Sequence, residues 1–102
     1  MGQEGTGLEI RYNWDDDVDL PHIAAHGVTE DEVEEVLRRH LEDLPGPRDS
    51  RIMIGRTIAG RLLKVICVPD EDGMGVFVVT AYDLAGKALK AHNRRMRKRG
   101  TR

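Results

Sequence analysis

Five side chains in this sequence could together handle a phosphate ester: Arg56, Arg61, Lys64, Tyr82 and His26. Arginine and lysine can hold a phosphate and stabilise the extra charge of its transition state, while a histidine or a phenol moves the proton of an attacking 2′-hydroxyl. That combination is the chemistry of RNA cleavage without a metal. The cations fall in two β-rich runs, 51–58 and 61–69, joined by Ala59-Gly60, and Tyr82 closes a third run. If Ala59-Gly60 is a two-residue turn, Arg56 pairs with Leu63 and Gly55 with Lys64. Arg56 and Arg61 then share one sheet face and Lys64 takes the other, and a slip of one residue changes those faces. The same residues also have a plain structural use, as strand-edge charges that limit aggregation. On this pattern Arg61→Ala is expected to remove cleavage and leave the thermal midpoint little changed.

Other spacings point to less. His22 and His26 stand four residues apart, which invites a zinc site, but no glutamate of the metalloprotease motif and no obvious third ligand accompany them. A helix-capping or core role for His26 is the competing reading. The run Gly55 to Gly60 lacks the lysine and the Ser/Thr of a phosphate loop. Cys67 is the only cysteine and sits in the apolar run Val65-Ile66-Cys67-Val68, which implies packing and a reducing compartment. Neither a metal nor a cofactor is expected.

Charge is segregated along the chain. From Leu84 onward there are eight Lys/Arg and no acid, +8, against −10 over residues 1–83. The basic end suits a polyanion, or the acidic half of this or another chain, and Arg51, Lys87, Lys90, Arg94 and Arg95 are the expected RNA contacts. A solvated basic tail is the alternative. The start, Met1 to Gly7, is polar and glycine-rich, with no leader-like apolar stretch and no membrane-length apolar run. A cytoplasmic protein is expected.

Several elements must position these groups. Leu8, Ile10 and Tyr12 alternate with polar residues as in a half-buried strand. A short helix over residues 20–25 should end at Gly27. Thr29 and Glu32 form a capping box ahead of Val33, Val36 and Leu37, which predicts a helix to about Leu41 packed on the sheet. Three consecutive antiparallel strands should lie between about Ser50 and Tyr82. Asp83 can cap a last helix lined by Ala85, Leu89, His92 and Met96. The fold class is therefore α+β, a small antiparallel sheet in the order β-α-α-β-β-β-α. Residues 1–7 are expected to be disordered, 8–97 to form one domain and 98–102 to be a basic tail.

Taken in order, Trp14-Asp15, His26-Gly27-Val28, Val33-Glu34-Glu35-Val36-Leu37, Ile54-Gly55-Arg56-Thr57, Gly60-Arg61-Leu62 and Val79-Thr80-Ala81-Tyr82 resemble the BrnT-type toxins, from about Tyr12 to Arg95. The resemblance implies a RelE-like ribonuclease fold, a toxin that cuts RNA or blocks translation, and a cognate ribbon-helix-helix antitoxin. Arg56 and Arg61 match the family's strand motif. Ala25 stands where the family usually has lysine, Tyr82 where it has arginine, and Asn93-Arg94-Arg95-Met96 replaces the pattern of its last helix. A non-catalytic nucleic-acid- or protein-binding module of the same fold is the alternative function.

Overall fold

A computed structural model describes residues 8–100. The expected disordered segment 1–7 and the last two residues of the expected tail lie outside them. Strand β1 (Glu9–Tyr12) is followed by a small ribbon of β2 (Trp14–Asp15) and β3 (Leu20–Pro21), then a 3-10 helix (His22–His26) and α1 (Glu30–Arg38). Strands β4 (Glu42–Pro45), β5 (Arg51–Arg56), β6 (Leu62–Pro69) and β7 (Gly75–Asp83) lead into α2 (Gly86–Gly100). The helix thus runs through the start of the expected tail.

The fold is α+β, and its five-stranded sheet, ordered β1-β7-β6-β5-β4, is mixed. β5, β6 and β7 form the expected antiparallel meander. The expectation of a wholly antiparallel sheet is corrected at β1, which pairs parallel with β7, Ile10 opposite Val76. Parallel neighbours need a long crossover, and here almost the whole chain between them supplies it. Strand β4 was not expected either. Its Glu42-Asp43-Leu44-Pro45 has poor strand propensity, and pairing with β5 overrides that.

The β5–β6 turn also differs from expectation. Gly60 N–H donates to Thr57 O (2.8 Å), Thr57 N–H to Arg61 O (2.8 Å), and Gly60 takes φ +99°. This is a three-residue loop with a left-handed glycine, and not the two-residue turn. Arg56 therefore pairs with Leu62 and Gly55 with Leu63. The slip exchanges the faces: Arg56 now shares one with Lys64, and Arg61 lies on the other.

One sheet face carries the main core, in which Leu63, Val65, Val78 and Ala81 meet Val33 and Val36 of α1 and Ile23 of the 3-10 helix. The capping box is formed, with Glu32 N–H on Thr29 Oγ1 and Thr29 N–H on Glu32 Oε1. α1 crosses close above Gly55, where a Cβ would come within 3.1 Å of the His40 backbone. In β7 the register slips between Ile66–Thr80 and Cys67–Val78, and the extra residue keeps both Val78 and Ala81 pointing into the core. Cys67 is buried there, which pushes its thiol up to about 11.

The opposite face is organised by a single row. Glu42 pairs with Ile54, Ile54 with Lys64, and Lys64 with Tyr82, so these four side chains stand side by side across β4, β5, β6 and β7. Helix α2 is fastened at the Glu42 end through His92, Arg95 and Arg99. Of the expected inward residues, Leu89, His92 and Met96 are at least partly buried and Ala85 is exposed.

Candidate active site

The Tyr82 end of this row carries the expected chemical groups. Lys64 Nζ lies 5.6 Å from the centre of the Tyr82 ring, as their direct cross-strand pairing requires. β1 pairs with β7 only as far as Val78, so the edge of β7 beyond it is free for the 3-10 helix. His26 stands edge-on to Tyr82 with ring centres 5.5 Å apart, and His22 is edge-on to His26 at 5.7 Å. Two imidazoles, a phenol and an ammonium group thus form one continuous run. His26 is exposed, whereas Tyr82, Lys64 and His22 are half-buried.

Gly27 and Arg61 hold this arrangement. Gly27 ends the 3-10 helix at φ +69°, its N–H donating to Ala24 O (3.0 Å). Arg61 donates to Gly27 O (2.8 Å), His26 O (3.3 Å), Glu32 Oε1 (3.0 Å) and both oxygens of Asp83 (2.7 and 3.1 Å). All of its guanidinium donors are engaged. Hydrogen bonding to Asp83 raises the Arg61 guanidinium further above its ordinary value, and the same bonds hold the Asp83 carboxyl below the usual carboxylate range. Arg61 ties the end of the 3-10 helix, Glu32 of the α1 capping box and the end of β7 into one knot. The expectation that Arg61→Ala leaves stability little changed is therefore corrected.

The other expected positions separate into two groups. Arg56 is exposed at the end of β5 and donates to Gly60 O (2.8 Å). Arg51 is paired with Asp43 (2.8 Å) and Arg95 with Glu42 (2.5 and 2.9 Å), so both are held by carboxylates of β4. Lys87, Lys90 and Arg94 are exposed, and with Lys98 they recur at helical spacing on the outward side of α2. His22 joins the cluster although the sequence pattern offered it only as a metal ligand. The His-x-x-x-His spacing was the available signal, and only the position of β7 shows what the pair faces. Among the described residues no group of three or more His, Cys, Asp or Glu could hold a metal ion, and no helix is long and apolar enough to cross a membrane.

Residues 21–83 match the family described as a domain of unknown function (DUF4258). The match covers more than half of the sequence, from the end of β3 to the end of β7. The chain belongs to this family. The matched segment contains His22, His26, Arg56, Arg61, Lys64 and Tyr82, and leaves out β1 and α2. No curated protein and no solved structure matches the chain.

Proposed function

We propose that the protein is a toxin-like endoribonuclease that cuts RNA without a metal, of the BrnT type and with a RelE-like fold. The observation that carries this reading is the run His22–His26–Tyr82–Lys64 along the open edge of β7. His26 takes the proton of the 2′-hydroxyl, whose oxygen attacks phosphorus. The bond from phosphorus to the 5′-oxygen breaks, leaving a 2′,3′-cyclic phosphate. Tyr82 gives the 5′-oxygen its proton, and Lys64, with Arg56 on the same face, stabilises the charge that builds on phosphorus. Arg61 acts as a positioning residue, because its donors already serve the protein. Lys87, Lys90, Arg94 and Lys98 follow the RNA backbone. A ribbon-helix-helix antitoxin is the proposed partner.

Incubation of the purified protein with single-stranded and ribosome-bound messenger in EDTA tests the reading. Cleavage should persist in the chelator, and His26→Ala, Tyr82→Phe or Lys64→Gln should each slow it by about 100- to 1000-fold. Replacing the four outward cations of α2 by glutamine should reduce the slope of log affinity against log salt by about 3. Truncation at residue 94 is a poorer test, since it removes the internally used Arg95 and Arg99. Intact RNA with the wild-type protein would leave a binding module acting through α2.

A further inference from the structure

Two exposed features, the second sharing only Arg56 with the proposed active site, complement each other. The first is the tip of the β2–β3 ribbon. Trp14 is 49% exposed, Val18 60% and Leu20 49%, and Asp15, Asp16, Asp17 and Asp19 are interleaved with them. The tip is preformed: Trp14 Nε1 donates to Asp19 Oδ1 (3.2 Å), Asp17 N–H donates to Asp15 Oδ1 (3.0 Å), and Asp19 turns the chain at φ +56°. Trp14 is opposite Pro21 and Asp15 opposite Leu20, so the apolar groups surround the tip as an acidic knob.

The second feature is a cleft lined by Glu35, Arg39, Arg56, Thr57 and Ile58. Ile58 is 77% exposed, and Leu41, close by in sequence to Arg39, is 42% exposed. Glu35 is occupied by the Ile58 N–H (3.0 Å). The Arg39 side chain makes no hydrogen bond or ion pair among the described residues, and the Arg56 side chain reaches only the Gly60 carbonyl. This contrasts with Arg11, Arg38, Arg51 and Arg61, each of which has a carboxylate partner. The cleft therefore offers two guanidinium groups without counter-ions beside uncovered aliphatic surface.

We propose that the ribbon tip of one copy docks into the Arg39–Arg56 cleft of a second copy. Guanidinium groups pair with carboxylates in a fork and stack on indole, and Val18 and Leu20 find Ile58 and Leu41. A net charge of −2 presents little repulsion between copies. The two patches differ, so the contact is heterologous; it closes as a reciprocal pair or continues as a chain.

Trp14 is the only tryptophan, so its emission reports the tip directly. Sedimentation velocity of the full chain should show concentration-dependent association, with Trp14 emission shifting to the blue. Asp16→Lys/Asp17→Lys should weaken association at least about tenfold, and so should Arg39→Glu/Arg56→Glu. Mixing the two variants should restore a one-to-one complex, because one intact tip and one intact cleft remain. Unchanged thermal midpoints will show that each variant is folded, and Trp14→Ala with Ile58→Ser is the second pair if either is not. A wild type that stays monomeric at high concentration would overturn the proposal. So would a mixture that does not associate, or association that survives the cleft changes and is lost with Lys90→Glu/Arg94→Glu.

Discussion

The row Glu42–Ile54–Lys64–Tyr82 has polar groups at both ends of one sheet face, yet the two ends are built for opposite purposes. At the Glu42 end the carboxylate is 6% exposed and His92 2%, and every strong polar group has a partner inside the protein. Hydrogen bonds from Arg95, together with that from His92, draw the Glu42 carboxyl down to about 2 against the opposing effect of burial. At the Tyr82 end the rings and the Lys64 ammonium meet one another at their edges and faces, and among the described residues no carboxylate pairs with Lys64. Covering by α2 turns the first end into a lock. The absence of a strand beside the end of β7 leaves the second open. Similar residue types thus become structural or available for chemistry according to what covers them.

Breaking the lock should have the largest effect on stability. Glu42→Gln leaves Arg95 without its counter-charge and His92 without its carboxylate partner, and the loss should be about 3 kcal/mol in a denaturant melt. Acid should act in the same way. The ordinary glutamate value is 4.5 and the folded value about 2, so this stability is present above 4.5 and is lost as pH falls toward and through 2. An acid titration followed by circular dichroism should show a limb in that window in the wild type that is absent from Glu42→Gln.

The knot behind the open end comes next. Arg61→Ala should lower stability by about 2 kcal/mol, moderated by the partial exposure of the side chain. It should also broaden the His26 ring resonances in NMR spectra. Sharp, unshifted His26 resonances would show that the 3-10 helix holds its place without the arginine.

On β7, two residues from Tyr82, the hydroxyl of Thr80 is buried with no hydrogen-bond partner among the described residues. Thr80→Val should therefore raise stability, by about 1 kcal/mol in the same melt. The smallest effect belongs to Tyr82→Phe, which should leave the midpoint within about 0.5 kcal/mol of wild type while removing the proposed proton donor. A large loss there would mean that the phenol is structural, and the contrast between the two ends would disappear.

Much of the local structure was legible in the sequence because it depends on neighbours in the chain. The capping box Thr29–Glu32, the glycine stop at Gly27, the apolar stripe Val33, Val36, Leu37 and the alternation in β6 need only a turn of helix or a pleat to take effect. Charge segregation was legible for the same reason. The partners of those charges were not. Arg95 looked like an RNA contact until Glu42, 53 residues away, was brought beside it, and Arg61 looked free until three distant elements converged on it.

The sequence by itself determined α1, the last helix and the strands β1, β5, β6 and β7, that the class is α+β, and that the basic residues gather on the last helix. Tertiary structure alone decided the parallel pairing of β1, the one-residue change of register at Gly60 and the burial of Glu42. The first and last are long-range choices in which pairing and packing outweigh local preference, and the register follows from the hydrogen bonds of the Thr57–Arg61 loop. A shift of one residue in a strand reverses every side chain, so face assignments follow from the hydrogen bonds actually formed and not from the pattern of residue types. His26, Tyr82 and Lys64 come from three separate elements, and the β6–β7 pairing and the open outer edge of β7 together bring them side by side.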